Sequence, residues 1–205
     1  MTQQKPRFNT LTDRARYYTG GFTSALGQRV HQIGIHPDTI TLVGLLIVAV
    51  SAYVIAIGHF FWGGVIMLVG APLDALDGAV ARAMGRQDKF GALFDSTLDR
   101  YADGFIFIAL AYYFSDRGDQ GMMLVSLAAL LGSSLVPYVR AHAEGLHYEC
   151  KIGLLSRMER VAIIFAMLFT GWIEIGVWIL AIFSNITAIQ RVLYVRRQMQ
   201  GEKTA

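Results

Sequence analysis

In 205 residues, 54% of them hydrophobic and only 16% charged, the chain carries too little charge for a soluble domain of its length. Its apolar residues come in long runs and its mean hydropathy is positive, which leaves room for several membrane spans but not for a large soluble domain beside them. The single cysteine, Cys150, excludes an intrachain disulfide, and with a formal net charge of +3 no nucleic-acid partner is expected.

The first element is an N-terminal segment, residues 1–36. Within it Phe8, Leu11, Ala15, Tyr18, Phe22, Leu26, Val30 and Ile33 recur at three- and four-residue intervals with basic residues between them. That is the pattern of an amphipathic helix lying in the membrane interface. A surface helix packed on the bundle fits the same pattern, and Gly20–Gly21 weakens the middle of either. The first thirty residues lack an uninterrupted apolar core and a small-residue cleavage site, so no cleaved signal peptide is expected. Pro37-Asp38-Thr39-Ile40-Thr41 then opens the first span, with Asp38 or Thr39 as its cap.

Six transmembrane helices are predicted, at residues 39–57, 60–83, 88–114, 120–143, 156–172 and 175–195. The expected fold is therefore all-α and polytopic: an interfacial N-terminal segment, a six-helix membrane domain over 37–198 and a tail at 199–205. Orientation follows from the basic residues. Arg14, Arg82, Arg86, Lys89, Arg140, Lys151, Arg157, Arg160, Arg191, Arg196 and Arg197 fall on one side with both termini, and Arg117 stands alone on the other. The positive-inside rule makes the first side cytoplasmic in a multi-pass cell-membrane protein. Phe60, Phe61, Trp62, Trp172 and Trp178 fall near the opposite interface, as an aromatic belt does.

The second and third spans carry four aspartates, Asp74, Asp77, Asp95 and Asp99, in the stretch DALDGAVARAMGRQDKFGALFDSTLD. Carboxylates at membrane depth are costly and mark functional sites by default. Asp74 and Asp77 share one helical face, and Gly91, Asp95, Asp99 and Asp103 fall four apart on another. Two facing pairs of carboxylates make an oxygen cage for a hard cation such as Mg²⁺. Two such ions suit phosphoryl transfer, and the pool leaves one aspartate free as a general base. Pro72 bends the second span beside the site, Gly78 and Ala81 keep the next turn small, and Arg82 offers a fork for phosphate oxygens. The plainer alternative is that the aspartates pair with Arg82, Arg86, Arg100 or Lys89 inside the bundle.

The stretch resembles the signature of the CDP-alcohol phosphotransferase family, D-x2-D-G-x2-A-R-x8-G-x3-D-x3-D, at Asp74, Asp77, Gly78, Ala81, Arg82, Gly91, Asp95 and Asp99. The resemblance implies transfer of a phosphatidyl group from CDP-diacylglycerol to an alcohol with release of CMP. It implies that Asp74, Asp77 and Asp95 ligate metal, two ions of Mg²⁺ or Mn²⁺, with Asp99 as general base and a candidate fourth ligand. It also implies that Gly78 and Gly91 lie against the cytidine and Arg82 near the diphosphate, with Asp38 and Thr41 close by and Ala81 among the residues that bind the CDP-lipid. Members are commonly homodimers.

Arg140 ends the fourth span, Arg157 and Arg160 open the fifth around Glu159, and Arg191 sits late in the sixth. Such cations suit a phosphate-bearing acceptor, and the pattern resembles the branch that makes phosphatidylinositol phosphate from inositol 1-phosphate. The alternative for these arginines is positive-inside decoration, which is the expected role of Arg196 and Arg197. Glycerol 3-phosphate, giving phosphatidylglycerol phosphate, is the rival acceptor, and a cation transporter with an intramembrane carboxylate path is the rival class. Zinc is not expected at His142, His147 and Cys150, which lack a fourth ligand. Asp103 is expected to be structural, paired with a nearby arginine, and its place on the Asp95–Asp99 stripe keeps open a role in supporting the metal ligands.

Overall fold

Backbone polar groups inside a bilayer must be satisfied within the chain, and in the computed structural model every regular element among the described residues is an α-helix. The described residues are 37–70, 89–150 and 152–202. The predicted helix over 7–34 and the motif residues Asp74, Asp77, Gly78, Ala81 and Arg82 lie outside them. In chain order the helices are α1 (Pro37–Ala56), α2 (Phe60–Gly70), α3 (Lys89–Asp116), α4 (Gln120–Gly145), α5 (Arg157–Thr170) and α6 (Ile173–Glu202).

Three of these, α1, α4 and α6, are long and apolar enough to cross a membrane. The expectation of six spans is met in that coarser form. α3 has the length but carries Lys89, Asp95, Asp99, Arg100 and Asp103, and α5 has only 14 residues. Two limits also move. Asp38 is not a cap but lies in the first turn of α1 behind Pro37, where its carboxylate favours the helix dipole. The sixth helix starts at Ile173, two residues after the left-handed Gly171 that caps α5, and continues through residues 199–202.

The closely packed pairs are α1 with α3, α3 with α4, α4 with α6 and α5 with α6. Their shared core is built from Ile55, Ile106, Phe107, Leu110, Ile164, Leu168, Val177 and Leu180. Leu46, Tyr53, Leu124, Leu131, Trp178 and Ile189 are exposed on the outer faces, an arrangement suited to lipid rather than water. Between helices the contacts use small and polar residues. A Cβ on Gly132 would lie 2.6 Å from the Asn185 Nδ2 and 2.9 Å from its backbone nitrogen. That closeness lets Asn185 donate to the Ala128 carbonyl of α4 at 2.9 Å, besides Ala181 on its own helix at 2.7 Å. Ser51 of α1 likewise donates to the Gly63 carbonyl of α2 at 2.7 Å. These are the small-residue contacts and interhelical hydrogen bonds expected where lipid tails remove the hydrophobic drive for helix association.

At one end the three short connections meet. Gly58 sits beside Tyr113 and Arg117, with the Arg117 guanidinium 3.8 Å from the Tyr113 ring centre. A cleft of about 390 Å³ joins Gly58–Trp62 to Leu168–Gly171. Phe61, Trp62, Trp172 and Trp178 are exposed at this end, while Phe60 turns inward onto the edge of Tyr113, ring centres 4.6 Å apart.

The α4–α6 contact yields the first expected outcome. Gly132→Ala forces the two helices apart at Asn185 and lowers stability by about 1–3 kcal/mol, read as a fall in Tm in detergent. An unchanged Tm would show that the contact has room to spare.

Candidate functional site

α3 has no proline and no internal glycine save Gly91 and Gly104, so one regular helix carries Asp95, Asp99 and Asp103 a turn apart on one side. Burial deepens along that side. Asp95 and Asp99 are half-buried, Asp103 is 9% exposed, and the face continues into Ile106, Phe107, Leu110 and Phe114 at the core. The carboxylates thus sit where the polar end of α3 gives way to apolar packing.

The cations that meet them come from α5, and the placement of α5 starts in the chain before it. After Leu146 the connection turns through His147, which has a positive φ of 66°, and runs back along α6 as a strap. Gln198 donates to the Glu149 carbonyl at 3.1 Å, and Cys150 packs against Val195 and Ala143. Arg191 donates from Nε to the Ile152 carbonyl at 2.9 Å. The Leu155 N–H donates to the Thr187 hydroxyl at 3.2 Å. The anchor points 198, 195, 191 and 187 step down one face of α6 at three- and four-residue intervals. Gly153 passes with φ +141°, and a Cβ there would stand 2.6 Å from the Thr187 methyl carbon, so both the backbone and the space require glycine.

The strap delivers Ser156 to the start of α5, where its N–H donates to the Glu159 carboxylate at 2.8 Å in a capping box. Glu159 therefore closes the helix start, and Arg157 and Arg160 on either side of it are turned toward α3. Arg157 pairs with Asp99, which also has Arg100 Nη2 at 3.8 Å. Arg160, 3% exposed, donates to Asp103 at 3.2 Å. Two positive forks thus face two carboxylates in a half-apolar setting, where each sign offsets the desolvation of the other.

Of the four arginines singled out in the sequence, Arg157 and Arg160 come together on α3. Arg191 is buried and spends Nη1 on the Val136 carbonyl of α4 at 2.6 Å as well as Nε on the strap. It ties α4, the strap and α6 into one unit. Arg140, one turn beyond Val136, pairs with Glu144 at 2.8 Å, both side chains about half exposed, a surface pair of small energetic weight. Asp38 and Thr41 lie half-buried in the first turns of α1, the helix that packs on α3.

Asp103 pairs with an arginine as expected. The ion pair of Asp99 with Arg157 was absent from the alternatives read from sequence, which named Arg100 but no residue of the fifth span. The capping box was missed too, although Ser156-x-x-Glu159 is its sequence signature. Among the described residues no three metal-binding side chains gather; the first two motif aspartates lie outside them. Asp95 and Asp99, a turn apart, offer hard carboxylate oxygens of the type that Mg²⁺ and Mn²⁺ take, so the donor chemistry fits such ions.

The sequence profile described as CDP-alcohol phosphatidyltransferase matches residues 34–189. The chain is 38% identical over 176 residues to an archaetidylinositol phosphate synthase of Pyrococcus horikoshii, covering 85% of this chain and 91% of that one. It is 36% identical over 183 residues to a phosphatidylinositol phosphate synthase of Mycobacteroides abscessus, covering 85% and 83%. The fold matches the crystal structure of the Mycobacterium tuberculosis phosphatidylinositol phosphate synthase with CDP-DAG bound, TM-score 0.80 at 28% identity over 84% of this chain and 92% of that one. A second structure of that enzyme, in complex with manganese and citrate, matches with TM-score 0.78 at 28% identity over 84% and 88%.

The strap carries its own test. Arg191→Gln removes the charged donor from the buried Val136 carbonyl and the part-buried Ile152 carbonyl, a loss of about 1–3 kcal/mol for a buried group left unpaired and less for the part-buried one. Limited proteolysis is expected to cut within residues 146–155 in this variant well before it cuts the parent protein, whereas equal cutting rates would show that the strap is held without Arg191.

Proposed function

The chain belongs to the CDP-alcohol phosphatidyltransferase family, and on that premise we propose that it transfers a phosphatidyl group from CDP-diacylglycerol to inositol 1-phosphate, forming phosphatidylinositol phosphate and releasing CMP. One observation carries the acceptor. The relatives' names differ in the lipid, archaetidyl in one and phosphatidyl in the other, yet agree on an inositol phosphate product. The cations fit that chemistry, since Arg–phosphate pairs supply both charge and geometry.

Asp99 takes the proton of the acceptor hydroxyl onto its carboxylate. The hydroxyl oxygen then bonds to the phosphorus attached to the lipid, the bond from that phosphorus to the CMP oxygen breaks, and CMP departs. Arg157 lies against Asp99, so a small molecule that bears both a phosphate and a hydroxyl can meet cation and base together. Arg140, Arg160 and Arg191 complete the acceptor-phosphate site from α4, α5 and α6. Asp74, Asp77, Asp95 and Asp99 are the residues that would hold two divalent ions, Mg²⁺ or Mn²⁺, whose charge offsets that of the diphosphate when bound. Asp38, Thr41, Gly78, Ala81, Arg82 and Gly91 take the CDP-lipid.

The protein is a membrane enzyme of phospholipid synthesis. In the reading proposed, the chain crosses the bilayer in the six predicted spans, both termini and the site face the cytoplasm, and residues 1–36 lie in the interface ahead of a catalytic domain that begins at 37. The basic residues support that orientation. α5, with 14 residues, spans about 21 Å, short of an apolar core of about 30 Å, and the strap that dips along α6 makes up the difference. The working unit is a homodimer.

Purified protein with CDP-diacylglycerol, offered inositol 1-phosphate, glycerol 3-phosphate, serine and inositol in turn, tests the reading by CMP release. Inositol 1-phosphate is expected to be preferred, with Mg²⁺ or Mn²⁺ required and chelation abolishing turnover. Preference for glycerol 3-phosphate would reassign the acceptor. Asp99→Asn is expected to lower kcat by about 10²–10⁴-fold, the usual contribution of general base catalysis, while CDP-diacylglycerol still binds. A fully active variant would remove Asp99 from the role of base.

A further inference from the structure

Asp103 lies four residues past the last fixed position of the carboxylate motif, yet it is the one carboxylate buried among the described residues. A buried carboxylate requires a cation, and Asp103 has Arg160 at 3.2 Å, itself 3% exposed. α3 and α5 are not among the closely packed helix pairs. What joins them at this level is the reach of two arginine side chains, Arg157 to Asp99 and Arg160 to Asp103.

The two links are in step. Asp99 and Asp103 are separated by about 6 Å of helix rise and Arg157 and Arg160 by about 4.5 Å, so the links stand side by side. A guanidinium has several N–H donors in a rigid plane. The contact to Asp103 uses Nη2 of Arg160 and sets the plane of the fork, which leaves other donors for a phosphate. An arginine held in this way loses little freedom when the phosphate arrives, because its long side chain is already ordered.

We propose that Asp103 is a positioning residue for the acceptor phosphate: through Arg160 it sets the cation that receives the phosphate, one helical turn from the carboxylate of Asp99 that takes the hydroxyl proton. This rests on the acceptor reading above. It differs from a purely structural ion pair in what its loss would disturb. A structural pair affects folding and all substrates alike, whereas a positioning pair affects the acceptor and spares the donor.

The test is steady-state kinetics of the full-length protein in detergent with Mg²⁺, CDP-diacylglycerol and inositol 1-phosphate. Asp103→Asn is expected to raise the acceptor KM about tenfold or more, the loss of one charge-assisted hydrogen bond, with the KM for CDP-diacylglycerol unchanged. Asp103→Glu is expected to recover most of the acceptor affinity. A wild-type acceptor KM in the Asn variant, or a fall in kcat with both KM values unchanged, overturns the proposal. Should the Asn variant not fold, Arg160→Lys decides, since it keeps the buried charge opposite Asp103 but loses the fork: a raised acceptor KM supports the proposal and an unchanged one overturns it. Failure of the acceptor reading shows separately, in the parent protein. If that turns over no phosphorylated alcohol, there is no phosphate to position and both readings fall.

Discussion

A carboxylate in an apolar bundle must meet positive charge, and most of the site's architecture answers that requirement. Asp99 and Asp103 lie where α3 enters the core, and their counter-charges come from α5 rather than from neighbours on the same helix alone. α5 can supply them because its first residue is delivered by a strap anchored at four levels of α6. α6 in turn is drawn close to α4 by Gly132 and Asn185. The placement of Arg157 and Arg160 thus rests on packing well away from the carboxylates they meet.

The arginines around the site resemble one another in sequence and differ in what they do. Arg191 gives Nε and Nη1 to two backbone carbonyls and stitches three segments together. Arg160 is buried on a carboxylate. Arg157 bridges to the inferred base, and Arg140 stands at the exposed rim beside Glu144. The guanidinium suits all four tasks because it stays charged and offers several donors in a fixed plane. A ring of identical cations thus divides into anchors within the bundle and groups nearer the rim.

The helical elements were largely legible in the chain. Long apolar runs interrupted at Gly58, Gly118 and Gly171 leave few ways to satisfy a backbone in lipid, and the starts of all six described helices were expected within two residues of those found. The helix ends were less so: hydropathy does not reveal that Gly171 already turns the chain after Thr170, or that α6 runs on to Glu202. The pattern of Asp95, Asp99 and Asp103 on one side of α3 was likewise readable from spacing. What faces that side was not. Periodicity reports which residues share a face and is silent on the element opposite, so the pairing of Asp99 with Arg157, 58 positions away, had no local signal.

The carboxylate motif, the membrane class and the family were therefore written in residue type and spacing, because the cost of charge in lipid permits few explanations for aspartates at fixed helical intervals. The assignment of each arginine to a carbonyl, a carboxylate or the open rim was written nowhere in the chain order. It arises where α3, α4, α5 and α6 converge, since a guanidinium takes whichever acceptor the packed helices bring within reach.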